Sequence, residues 1–152
     1  MIALTVAATV GVLLGATALT VALVCRTNNS FSTGPTATGA PTYTAAETAA
    51  ARQKLCDTYK LAARSIQIDT NSGDQAIAGV STMNGALMLE QAISAEPALT
   101  SADRAAATTL ANAYTKANAM ASSLHRDDPA WQAVVDEVNT KDAQMKAICR
   151  GS

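Results

Sequence analysis

The chain has 152 residues, a formal charge of −1 and a hydrophobic fraction of 49%, much of it alanine and one N-terminal apolar block. Acidic and basic residues nearly balance, 12 against 11, and neither sign gathers into a run, which argues against a nucleic-acid surface or a strongly basic membrane patch. Aromatic residues make up only 3% of the chain, so stacking platforms for bases or flat cofactors are hard to build.

The opening block, "MIALTVAATVGVLLGATALTVALVC", carries no charge and ends at Arg26. About 20 apolar residues suffice to cross a bilayer, so residues 1–25 are expected to be a transmembrane anchor embedded in lipid. A cleaved signal peptide would open on basic residues and carry a shorter apolar core, neither of which is present. Bulky Leu23 and Val24 stand where a lipidated Cys25 would want small residues. Within the anchor Ala7, Gly11 and Gly15 form a row of small residues at four-residue spacing. Such a row lets a membrane helix pack closely against a copy of itself or a partner. Residues 26–43 are rich in Thr, Ser, Asn, Gly and Pro and free of charge beyond Arg26, the composition of a linker.

From residue 44 to about 150 the pattern is that of four helices, and no segment alternates with period 2. Thr44 and Glu47 in "TAAE" form a capping box that opens helix 1. Its apolar side reads Leu55, Tyr59, Ala62 and Ile66, and "DTNSGD" breaks it. Helix 2 repeats Ile77, Val80, Asn84, Leu87 and Gln91 on one face and stops before Pro97. Helix 3 opens on Thr100 and Asp103 in "TSAD" and carries Leu110, Tyr114, Ala117, Met120 and Leu124. Helix 4 starts with Asp128 as cap and Pro129 at the first helical position, followed by Trp131, Val135, Val138, Met145 and Ile148. Short connections between helices of similar length predict an all-α, up-down-up-down four-helix bundle behind the anchor. "TAAETAAA" and "TSADRAAA" echo each other, each followed by a Leu-x-x-x-Tyr pair, as two diverged helical hairpins would.

Cys56 lies on the edge of the buried stripe of helix 1, and Cys149 on the row of residues 138, 142, 145 and 149 of helix 4. In an up-down bundle these helices are antiparallel neighbours, so the expected role is a disulfide, with two inert thiols as the plain alternative. In the chain-entropy model so long a loop stabilises by about 4–5 kcal/mol. Such a bond persists outside the cytoplasm, which places the C-terminal domain on the extracytoplasmic side of the cell membrane behind a single span. Pairing these two positions requires helices 1 and 4 to be staggered by about two turns, with "AAETAAARQK" projecting beyond the bundle.

No grouping points to catalysis, a cofactor or a metal. "LHRDDPAW" gathers His125, Arg126, Asp127 and Asp128, but charges of these signs suit the end of one helix and the start of the next. "DTNSGD" misses the calcium-loop pattern, because Gly73 comes early and Val80 stands where the bidentate Glu belongs. The single histidine excludes a di-iron bundle, and there is no Cys-x-x-Cys. Met83, Met88, Met120 and Met145 read as core fillers. Asn84 and Asn139 fall on or beside apolar stripes, as buried register markers or as border residues.

A single span, a Thr/Pro/Gly linker, "YTAAETAAARQKLCDTYKLAARSIQ" and "DPAWQAVVDEVNTKDAQMKAIC" follow one another in this order. The chain thereby resembles the alanine- and proline-rich single-span membrane proteins of mycobacteria and related actinobacteria, from Tyr43 to Cys149. Unlike many of them, it opens directly on the apolar block. The resemblance implies a cell-envelope location and carries no activity with it. The expected function is a non-catalytic, membrane-anchored module that binds or scaffolds other envelope proteins. The alternative is a small-molecule or lipid carrier using a gap between alanine-lined helices. A filled core favours the first and a deep apolar cavity the second.

Overall fold

A computed structural model describes residues 41–151 of the chain. The expected anchor, the linker as far as residue 40, and the row Ala7, Gly11 and Gly15 lie outside the described residues. Within them are four helices, α1 (Ala45–Asn71), α2 (Gln75–Ala95), α3 (Ser101–Ala121) and α4 (Pro129–Ile148), closed by a 3-10 turn over Cys149–Gly151. No strand occurs among the described residues, and none of these helices is long and apolar enough to cross a membrane.

Each helix begins where its sequence supplies a cap. The Thr44 hydroxyl accepts from the Glu47 N–H at 3.2 Å, and the Glu47 carboxylate accepts from the Thr44 N–H at 2.7 Å. The Thr44 N–H and hydroxyl, both donating to it, hold the Glu47 carboxyl below its ordinary pKa. Asp74 accepts from the Ala76 and Ile77 N–H groups to start α2. Just before it, Gly73 sits at φ +82°, a left-handed conformation that glycine adopts without steric penalty. Thr100 caps α3 and Asp128 caps α4, with Pro129 as the first helical residue. The opposite ends are closed by neighbours. The Arg104 guanidinium donates to the Ile93 and Glu96 carbonyls at the end of α2, and the Gln75 amide donates to the Ala121 carbonyl at the end of α3. Carbonyls left over at helix ends need such donors. The same bonds hold α2 and α3 antiparallel at both ends, and contacts of α1 with α2 and of α3 with α4 complete the up-down-up-down order.

The core is built from a few large side chains and many alanines. Leu55, Leu89, Leu110 and Met145 are fully buried, with Ala51, Ala62, Ala86, Ala107 and Ala111 filling between them. Cys56 and Cys149 are joined in a disulfide with their Cα atoms 5.4 Å apart. Cys56 lies about 16 Å along α1 from its start, while Cys149 follows the last residue of α4, so α1 runs about three turns past the end of α4, one more than the two expected. The uncovered overhang is shorter than expected, however. Ala51 is buried, Arg52 pairs with Asp103 at 3.0 Å, and Lys54 pairs with Glu96 at 2.8 Å, so the α2–α3 junction seats this part of α1. Only residues 45–50 are largely uncovered.

Helix α2 corrects the reading of its stripe. Ile77, Val80 and Leu87 are 49%, 62% and 50% exposed, and Asn84 and Gln91 are exposed as well. The face turned inward is Ser81, Gly85, Ala86 and Leu89. The reason is close approach. A Cβ on Gly85 would stand 2.5 Å from Ile66 Cδ1 and 3.7 Å from the Ala62 Cβ, so α2 offers its smallest residues to α1. Apolar periodicity marks large side chains and cannot see a seam made of Gly, Ser and Ala.

Candidate functional site: an apolar cleft between α1 and α4

Helix α1 packs against α2, α2 against α3, and α3 against α4, whereas the fourth side of the bundle is closed only at one end. There the disulfide ties α1 to the turn after α4. Beside it the Tyr59 hydroxyl donates to Asp142 Oδ1 at 2.6 Å, and Lys146 Nζ lies 2.6 Å from Asp142 Oδ2. Tyr59 and Tyr114 are both buried here, and burial raises both phenol pKa values above the ordinary value of 10.0. Among the described residues no buried side-chain nitrogen or oxygen lacks a hydrogen-bond partner.

Away from the staple the space between α1 and α4 opens into a cleft of about 1760 Å³. Ile66 and Ala63 of α1, Val80 and Met83 of α2, Ala117 of α3, and Trp131, Val135 and Val138 of α4 supply its apolar walls. The volume exceeds the ~300–1,000 Å³ of most small-molecule pockets. Its origin lies in the sequence of the facing positions. Ala63, Ala117 and Ala121 are too short to bridge the gap, so the apolar residues that line it on α4 stay half-buried. Trp131, Val135 and Val138, expected to line the core, are all of this kind, and the fully seated residue of that turn is Val134.

The sequence-derived candidates divide clearly. Cys56 and Cys149 are brought together. His125 is exposed, and its turn is structural: the His125 carbonyl accepts from the Asp128 N–H, and the Arg126 carbonyl accepts from the Gln132 amide at 2.6 Å. Asn84 and Asn139 are exposed border residues at the cleft. Of the methionines expected as core fillers, Met145 is fully buried, while Met83, Met88 and Met120 are half-buried. No group of three or more potential metal ligands occurs among the described residues. Two features escaped the sequence. Asp103, read as a cap partner, is only 2% exposed and turns its carboxylate to Arg52 of α1. The Tyr59–Asp142 bond links residues 83 positions apart, and no local pattern announces it.

The arrangement holds neither an activated nucleophile nor a poised acid–base pair among the described residues. What it offers is apolar surface in a concave site. Comparison with family models, with curated proteins and with solved structures gives no match.

Proposed function

We propose that this protein is a non-catalytic, membrane-tethered helical module that binds a small apolar molecule or lipid in the cleft between α1 and α4. The observation that carries this reading is the cleft itself. A bundle selected only for rigidity gains by closing α4 onto α1, since every buried CH₂ contributes about 0.8 kcal/mol. Here a volume of about 1760 Å³ is kept open beside a tightly stapled end. The charge-free, 25-residue opening block supports a bilayer anchor, and the disulfide supports an oxidising, extracytoplasmic location in the cell envelope.

Trp131, the only tryptophan of the chain, lines the cleft and reports on it. The full chain in lipid nanodiscs, titrated with a bromine-labelled fatty alcohol, is expected to show saturable quenching of Trp131 fluorescence. Quenching no greater than that of free tryptophan at the same concentrations refutes the reading.

A second reading, the scaffolding of another envelope protein, draws on a different surface. Leu61 and Ile68 of α1 and Ile77 and Leu87 of α2 are large apolar residues left exposed outside the cleft lining. In-cell cross-linking through these positions, followed by mass spectrometry, would identify a protein partner if this face holds one.

A further inference from the structure

Charge is segregated over the bundle. Residues 41–151 contain 10 cationic and 12 acidic side chains, Arg26 being the one charged side chain outside them. Five of the cations line the cleft, Lys60, Arg64, Arg126, Lys146 and Arg150, against two of the acids, Asp74 and Asp142. The cleft lining thus has a formal charge of +3 and the rest of the bundle −5. Both lining acids are engaged already, Asp74 in capping α2 and Asp142 with Tyr59 and Lys146.

The positive groups are spread along the cleft, not gathered at one point. The exposed residues that line it on α1 are Lys60, Arg64, Gln67 and Thr70, whose four- and three-residue spacing sets them on one helix face. On α4 they are Gln132, Asn139 and Lys146, seven residues apart and again on one face. No carboxylate occurs among these exposed lining residues, so both rims carry only cations and neutral polar groups. Arg126 and Arg150 flank the two ends of α4, whose 20 residues span about 30 Å. A single headgroup does not reach over that distance, whereas a surface bearing many negative charges meets all of these cations at once. The chain carries a route to such a surface. A 25-residue uncharged apolar block precedes the bundle by residues 26–43, which reach at most about 60 Å. Trp131, half-buried in the cleft wall, is of the residue type that favours the membrane–water interface.

We propose that the mouth of the cleft docks on the surface of a bilayer containing anionic lipids, with both rims against the headgroups and the acidic remainder of the bundle turned away. This rests on the membrane-tethered reading above, is independent of which molecule enters the cleft, and adds the lipid charge and the face that meets it. Each cation near an anionic surface favours docking about fivefold, so a net of three shifts the docked population by roughly 100-fold.

The test uses the full chain in nanodiscs of phosphatidylcholine, with or without one-third phosphatidylglycerol, each carrying a lipid spin-labelled at its headgroup. Trp131 is expected to be quenched strongly in the anionic discs and weakly in the neutral ones. Salt at about 1 M, which cuts the Debye length to about 3 Å, should erase the difference. Arg64→Gln with Arg126→Gln and Arg150→Gln should bring the anionic discs to the neutral level. Lys116→Gln with Lys141→Gln, which removes two cations outside the cleft lining, should leave the difference in place. Equal quenching in the two discs, or a difference that survives salt or the triple substitution, overturns the docking. Loss of the difference in the Lys116 and Lys141 variant as well overturns the assignment to the cleft mouth. A shift of Trp131 emission by polyglutamate in neutral discs, with no response to phosphatidylglycerol, gives this face to an acidic protein instead. A chain that fails to co-elute with neutral discs at high salt overturns the tethered reading itself.

Discussion

Replacing both Cys56 and Cys149 by serine removes the one covalent link between α1 and the end of α4. The sequence separation is 93 residues, and in the chain-entropy model a loop of that size stabilises the fold by about 4–5 kcal/mol. Domains of this size have a net stability of only about 5–15 kcal/mol. The bond therefore supplies a large share of the total. It acts at the end where the Tyr59 hydroxyl also bonds Asp142 across the same gap and Met145 packs into the core with Leu55 and Tyr59. At about 4–8 °C per kcal/mol for a domain near 100 residues, the double substitution should lower Tm by about 15–40 °C. Far-UV circular dichroism melts of the full chain in mild detergent, with and without reductant, measure this. Reduction of the unmutated chain should reproduce the substituted one. A shift smaller than about 5 °C would show that α1 and α4 hold together without the staple, and the account of the open side would be wrong.

Three further outcomes follow from particular contacts. Burial raises the Tyr59 and Tyr114 pKa values, so the unfolded chain releases these protons first. Their stabilising effect is complete below about pH 10 and falls above it by about 1.4 kcal/mol per pH unit for each tyrosine; in denaturant titrations across this range Tyr59→Phe should reduce that slope by about half. Arg52→Ala leaves Asp103, 2% exposed, without its ion pair, and because Arg52 is itself 44% exposed the expected cost is about 1–3 kcal/mol, read as a lower denaturant midpoint that Arg52→Lys partly restores. Gly85→Leu forces Ile66 away from the α1–α2 seam and should cost about 1–3 kcal/mol, whereas Asn84→Leu, on the exposed neighbouring position, should change stability by less than about 0.5 kcal/mol.

Much of the architecture could be read from local chemistry. Thr44 with Glu47, Thr100, and Asp128 with Pro129 each mark a helix start, because caps act over three or four residues and leave their pattern in the chain. The cysteine pairing was also legible, since an up-down order leaves α1 and α4 as neighbours and the stagger follows from helix rise. Helix α2 was not. Its large residues repeat at helical spacing on the exposed side, while its buried seam of Ser81, Gly85 and Ala86 carries little hydropathy. The cleft was equally hidden, for an alanine at position 63, 117 or 121 reads as core filler whether the helix opposite comes near or stays away.

The central claim is that the space between α1 and α4 is a binding site, and filling it tests that most directly. Ala63→Trp and Ala117→Trp project bulk into the cleft from α1 and α3. Native mass spectrometry of the full chain incubated with a long-chain fatty alcohol should show a one-to-one complex for the unmutated protein. The same complex should be absent from the doubly filled variant at unchanged Tm. A complex that persists after filling, or one that never forms in either protein, contradicts the account.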